Sequence, residues 1–237
     1  MSIPSSSDKK ENKPFLSLPP ADDTMPSLRY RLASYFLAFI PWFIVYEAFI
    51  LIGAPKDAVS TNIWLDKYIP IWEFSQFFYV FAYVFSFLVP FALKRDRDLR
   101  SLITDIWFTI IFVGIIYAAF PLIVKQKEFI PHSFMGRFIL FERTTDGESG
   151  ALPSCHVIWA FISAYYFTRG YPGLKLLWYA LAIIISVSCL TTGAHSILDV
   201  LAGFCSFFIV IYRRNIWNFI WHTAENLFRG VFRKRAG

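Results

Sequence analysis

The chain has 237 residues, 56% hydrophobic and 20% aromatic, with 17% charged and a net charge of +6. A soluble chain of this length cannot bury so much apolar surface, so the composition excludes a water-soluble enzyme and predicts an all-α, polytopic membrane protein. The positive charge sits mostly in tails and loops without a basic stripe, which excludes a nucleic-acid partner and suits a lipid bilayer surface.

Residues 1–30 form a polar leader, rich in Ser, Pro and Lys up to Thr24. It lacks the apolar core of a signal peptide and reads as a disordered cytosolic tail. Residues 31–213 carry six apolar segments: Leu32–Ile52, Phe74–Leu93, Leu102–Val124, Ser154–Thr168, Leu174–Leu190 and His195–Tyr212. A six-transmembrane-helix bundle follows. Pro41 should kink the first helix, and Glu47 on it needs a partner or a wet cavity. Trp64, Tyr68 and Trp72 read as interfacial anchors of the first loop. Phe134–Ser149 reads as an outer loop, either a lid over a headgroup or a plain connector. Residues 214–237 form a basic cytosolic tail that either lies on the inner surface as an amphipathic helix or stays solvated. Cys155, Cys189 and Cys205 form neither a disulfide framework nor a zinc spacing.

Lysine and arginine placement orients the bundle. With the amino terminus inside, five basic residues precede the first span, four lie in Lys94–Arg100, and six follow from Arg213. Both termini are therefore expected in the cytoplasm. The compact size and short loops favour a bacterial inner membrane, with the opposite ends of the helices facing the periplasm.

That topology brings three polar clusters to the outer surface. The first is Phe120–Phe129, with Lys125 and Lys127 as cations for phosphate oxygens or as snorkelling lysines. The second is Leu152–Val157, where Ser154 is placed as an N-cap ahead of Cys155 and His156. The free amides and positive dipole of a helix start make an anion site, and His156 there can protonate a departing oxygen. The third is Thr191–Gly203, where Thr191, Thr192 and Gly193 are expected to cap the sixth helix. His195 and Asp199, four residues apart, would share one helix face. The carboxylate would fix the imidazole tautomer and leave the other ring nitrogen as nucleophile. Together these parts suit phosphoryl transfer through a phosphohistidine, with no metal or cofactor required.

Pro153-Ser154-Cys155-His156, followed 39 residues later by His195 with Asp199 and Val200-Leu-Ala-Gly203, resembles the type 2 phosphatidic acid phosphatase superfamily, whose site vanadium haloperoxidases share. The resemblance covers roughly Phe120 to Phe204. It implies a six-helix membrane bundle acting on lipid phosphates or pyrophosphates at one surface. By that likeness His195 is the nucleophile, Asp199 its orienting partner, His156 the general acid and Ser154 a phosphate ligand, with Cys155 and Gly193 beside the phosphate. The sequence departs from the family pattern in three places. Cys155 replaces the second motif's glycine, Cys189 stands where the third motif has arginine, and the first motif's Lys and Arg-Pro are absent. Lys125, Lys127, Arg137 or Arg143 are the candidates to replace that arginine. Hydrolysis of a lipid phosphate monoester or pyrophosphate is the leading expectation. Transfer of a phosphate or phospho-headgroup to an alcohol acceptor by the same triad is the runner-up, and a non-catalytic lipid-binding relative is the third reading.

Overall fold

The computed structural model describes residues 23–147 and 149–235. The expected tail over residues 1–30 lies outside the described residues up to residue 22, and its last three residues are already helical. Six long helices follow the apolar segments: α1 (Leu28–Ile52), α2 (Ser75–Ala92), α3 (Asp96–Ala119), α5 (Cys155–Gly170), α6 (Lys175–Thr191) and α7 (Ile197–Arg235). Four stretches, α1, α2, α3 and Pro172–Thr191, are long and apolar enough to cross a membrane. Large apolar side chains on their outer faces, such as Phe36, Ile40, Phe43 and Leu51, are exposed, as lipid-facing residues would be.

The helix starts and stops have local causes. Ser27 caps α1 by accepting the Tyr30 N–H. Pro41 lies inside α1 without ending it. Asp96 and Asp98 sit in the first turn of α3, where carboxylates complement the helix dipole, so α3 begins six residues earlier than its apolar run at Leu102. Asp98 also pairs with Arg95 and Arg169, and Asp105 pairs with Arg213. Arg31 donates to the Pro90 carbonyl at 2.6 Å, satisfying one of the orphan acceptors at the end of α2.

α5 is the hub. Every residue from Cys155 to Ala164 is buried, because α2, α6 and α7 pack around it. A helix apolar on all sides belongs in such a centre. Gly203 of α7 permits the tightest contact: a Cβ there would lie 2.8 Å from the Ser154 carbonyl oxygen and 2.9 Å from Val157 Cβ.

Two expectations change. Phe134–Ser149 is not a plain loop but carries a seventh helix, α4 (Phe134–Asp146). Ser133 caps it through the Gly136 N–H, and Gly147, at φ 65°, ends it with its N–H on the Arg143 carbonyl. The tail from residue 214 does not form a separate element, since α7 runs without a break from Ile197 to Arg235. No proline follows Pro172 and no glycine stands between Gly203 and Gly230, so nothing in the sequence stops it.

At one end of the bundle the connecting segments pack into a layer. β1 (Val59–Ser60) pairs in parallel with β2 (Leu122–Ile123). The Trp72 N–H donates to the Thr191 carbonyl, and Ser196 Oγ donates to Thr61 Oγ1 at 3.1 Å. Gly203→Ala should force α7 off α5 and cost about 1–3 kcal/mol, as overpacked contacts do. A lowered thermal midpoint of the detergent-solubilised protein, with Gly114→Ala as the permissive control, checks this.

Candidate active site

The amino end of α5 and the α6–α7 turn meet beneath this layer. Ser154 is the residue before α5, in extended conformation, and its N–H donates to the Asp199 carbonyl at 3.0 Å. The Ser154 side chain makes no capping hydrogen bond. It is buried beside the Cys189 thiol and leaves the first amides of α5 uncapped by it. His156 follows one residue inside the helix. Its ring stacks on Tyr79 at 4.0 Å and meets the edge of Tyr83 at 5.1 Å, two residues one turn apart on α2. Its Nε2 is buried with no hydrogen-bond partner among the described residues.

His195 lies in the turn before α7, not on the helix. Ser196 and Asp199 explain the difference. The Ser196 N–H donates to Asp199 Oδ2 at 2.7 Å and the Asp199 N–H donates to Ser196 Oγ at 3.2 Å, a reciprocal capping box. Asp66, from the α1–α2 connection, accepts the Ile197 N–H at 2.9 Å. The expected cap by Thr191, Thr192 and Gly193 is thereby overturned, because Thr191 and Thr192 end α6 and the two carboxylates take the amides of α7. The i, i+4 spacing does not operate as a helix face. The turn still brings His195 Nδ1 to 3.8 Å from Asp199 Oδ2, beyond a hydrogen bond but adjacent. Nδ1 and Asp199 Oδ1 are both buried without hydrogen-bond partners among the described residues.

The histidines face one another with ring centroids 5.8 Å apart. Arg143, in the last turn of α4, reaches over the same turn. Its Nη1 donates to the Lys127 carbonyl at 2.6 Å and its Nη2 to the Thr192 carbonyl at 2.7 Å. Its Nε is buried without a hydrogen-bond partner among the described residues, and burial lowers the pKa of the guanidinium. Gly193 makes room for it. At φ 71° the position favours glycine, and a Cβ there would lie 2.6 Å from Arg143 Nη2 and 2.7 Å from Ile71. A small cavity at His195 is lined by Tyr79, Gln76, Glu142, Arg143 and Thr192, with Gln76 donating to Glu142.

The sequence profile of the PAP2 superfamily matches residues 42–213, which contain this whole constellation. The chain belongs to the PAP2 superfamily. A search of curated proteins returned no match. Membership in the PAP2 superfamily assigns the chain to a group of generally phosphatase-type membrane enzymes.

Within this PAP2 protein the lysines expected at the phosphate stand elsewhere. Lys127 donates its ammonium to the Asp66 and Ile69 carbonyls, and burial lowers its pKa. Lys125 is exposed, its N–H held by Asn62 Oδ1 at 2.7 Å. Neither lines the cavity at His195, whereas Gln126 between them does. The Cys155 thiol turns toward the Tyr117 hydroxyl at 3.3 Å, leaving only its backbone amide to face a ligand. Cys189 is fully buried, so an uncharged thiol fills the place of the missing arginine. Asp66, Tyr79, Ser196, Gln76 and Glu142 were not picked out by the sequence. Two signals were available: Ser196-Ile-Leu-Asp199 as a capping-box pattern, and Tyr79 and Tyr83 at helical spacing.

α4, which carries Arg143, is itself anchored by Glu73. That carboxylate accepts the Ser133 hydroxyl and the His132 N–H, and Gly136 leaves space for it. The Ser133 hydroxyl, then the His132 amide, hold the Glu73 pKa below its usual 4.5. A depressed carboxylate contributes stability above its unfolded pKa and loses it as pH falls through the folded value. The protection of amides across residues 134–146, taken relative to their intrinsic exchange rates, should therefore fall on acidification below about pH 4.5. Glu73→Gln should flatten that acid dependence and raise exchange at neutral pH.

Proposed function

We propose that the chain is a membrane phosphatase that hydrolyses a lipid phosphate monoester or pyrophosphate through a phosphohistidine on His195. The observation that carries this reading is the 5.8 Å approach of the His156 and His195 rings, each with a buried nitrogen that has no hydrogen-bond partner among the described residues. Rings at that separation can address one phosphoryl group from two sides.

In the first half-reaction a His195 ring nitrogen attacks phosphorus and the bond to the lipid oxygen breaks. Asp199 lies on the Nδ1 side, so Nε2 is the attacking atom and Nδ1–H turns to the carboxylate as the ring gains charge. The 3.8 Å gap then closes to a hydrogen bond, a tightening common on going from the free site to the complex. His156 gives its proton to the departing oxygen. In the second half-reaction His156 takes a proton from water, water attacks phosphorus, and the N–P bond breaks to release inorganic phosphate. The first amides of α5 and the Arg143 guanidinium stabilise the non-bridging oxygens, with Arg143 in place of the absent third-motif arginine. None of these steps requires a metal or cofactor.

The surrounding architecture is part of the proposal. α5 and α7 complete six spans with the four apolar stretches. The lysine and arginine bias supports cytoplasmic termini, and a bacterial inner membrane with the site toward the periplasm is the setting we favour. A second reading has an alcohol in place of water resolving the phosphohistidine, which would make the protein a lipid phosphotransferase. Two observations favour it: Cys189 at the arginine position, and the Gln76–Glu142 pair beside His195, groups that suit a hydroxyl-bearing acceptor.

Purified protein given labelled lipid phosphate should release phosphate, and His195→Ala should abolish release. His156→Ala should slow turnover by about 10²–10⁴-fold and accumulate an acid-labile, alkali-stable label on His195. Arg143→Ala should cost on the order of 10²-fold, comparable to removing one oxyanion donor, with Arg143→Lys recovering only part. Wild-type turnover in His195→Ala eliminates the mechanism. Label moved to an added alcohol instead of free phosphate selects the transferase. Lipid binding without any turnover leaves the non-catalytic reading.

A further inference from the structure

The site uses only one face of α4. Gly136, Ile139 and Arg143 turn inward, against Glu73 and over the histidine turn. On the opposite face Phe134, Phe138 and Phe141 fall at i, i+4 and i+7 and stack as a ladder, with successive ring centroids 6.5 and 6.2 Å apart. Phe134 and Phe141 are 68% and 61% exposed, and Arg137 and Leu140 are exposed beside them.

α2 carries a matching ladder. Its rings are Phe74, Phe77 and Phe81, with centroids 6.3 and 6.4 Å apart, and the first two are exposed. α2 is long and apolar enough to cross a membrane, and exposed rings on such a helix face lipid. Trp72, also exposed, stands 6.0 Å from Phe74 where that helix begins, the depth at which indoles gather. Between them is Glu73, the residue that pins α4: it accepts from His132 and Ser133 and fills the space over Gly136. The first turn of α4 is thereby fixed at the level where α2 leaves the bilayer.

We propose that α4 docks on the phospholipid bilayer through Phe134, Phe138 and Phe141, and that this contact holds Arg143 over the histidine turn. The docking stands on the geometry alone; its consequence for turnover rests on the phosphoryl-transfer reading. The occupant follows from continuity. The ladder on α4 extends the lipid-facing ladder of α2 past the anchor at Glu73, so one sheet of lipid can cover both. A helix about 20 Å long with aromatic rings on one side and a cation at their edge suits the headgroup boundary, where the rings sink and the polar side stays out. Arg137 can lay its stem beside the rings and reach lipid phosphates. Arg143 projects from the other side of the same 13-residue helix, so lifting α4 from the bilayer would carry the guanidinium away from Thr192.

The test uses full-length protein in vesicles of phosphatidylcholine and phosphatidylglycerol. A nitroxide is attached at Phe134→Cys or Phe141→Cys in a Cys205→Ser background, since Cys155 and Cys189 are buried and Cys205 is exposed. Oxygen, which partitions into lipid, should relax the label more than a nickel chelate, which stays in water. The reverse order overturns the proposal. So does exclusion of both reagents, the result for a face covered by a second copy or by another protein. In the same vesicles, Phe134→Ser with Phe141→Ser should lower turnover of a short-chain alkyl phosphate, with an unchanged thermal midpoint. The pair should lower it no further in an Arg143→Ala background, because both changes act through one group. No loss beside an active wild type, or the same fold-loss in both backgrounds, overturns the link to Arg143 and with it the proposal. Oxygen-exposed labels on a protein that releases no phosphate support the docking and refute only the phosphatase reading.

Discussion

The two ends that must meet for chemistry are held by hydrogen bonds around a single buried residue, Asp199. Its carboxylate accepts the Ser196 amide, its own amide is accepted by Ser196, and its carbonyl accepts the Ser154 amide from the start of α5. His195 stands one residue before this knot and His156 two residues after Ser154. Neither ring is free to drift unless the knot loosens, because both backbones are fixed within a few ångströms of it. A glycine at 203 then lets α7 lie against α5 closely enough for the bond to Ser154 to form. The carboxylate thus serves first as a helix cap and only through that as a neighbour of the imidazole.

Cations at this end answer first to the protein's own carbonyls. Turns packed into a layer leave backbone acceptors that need donors. Lys127 serves two of them in the α1–α2 connection, and Arg143 serves one at Lys127 and one at Thr192. A lysine ammonium spent in this way has little left to offer a phosphate. A guanidinium has five N–H groups in a planar fork and retains some. That difference is why the function we propose gives the phosphate to Arg143 and not to Lys127, although Arg143 comes from α4 and not from α6.

The histidine pair sits on a boundary between two environments. On one side is a small polar cavity with Gln76, Glu142 and Arg143; on the other is a long apolar cleft opening between α1 and α2. The stacking of His156 on Tyr79 fixes the ring at that junction and shields one of its faces.

The composition, the apolar segments and the Pro-Ser-Cys-His and His-x-x-x-Asp motifs were enough to determine a helical membrane protein of the PAP2 superfamily and to single out His156, His195 and Asp199, which the fold brings close together. Those signals are local: apolar length specifies a helix, and a short motif specifies its own turn. The start of α7 at Ile197 was legible in Ser196-Ile-Leu-Asp199, a capping-box pattern that the reading of His195 as a helical residue overlooked, whereas the second cap, Asp66, lies more than a hundred residues away and was not legible. The sequence could not show that Phe134–Asp146 is a helix, because its anchor is Glu73, which has no sequence pattern linking it to Ser133. Lys125 and Lys127 resembled phosphate ligands by charge and position alone, and which acceptors their side chains meet is fixed by loops packed from elsewhere in the chain. Arg143 above Gly193, the cleft behind His156 and the separation of the two rings were decided only in three dimensions, where contacts between distant segments override what each segment prefers by itself.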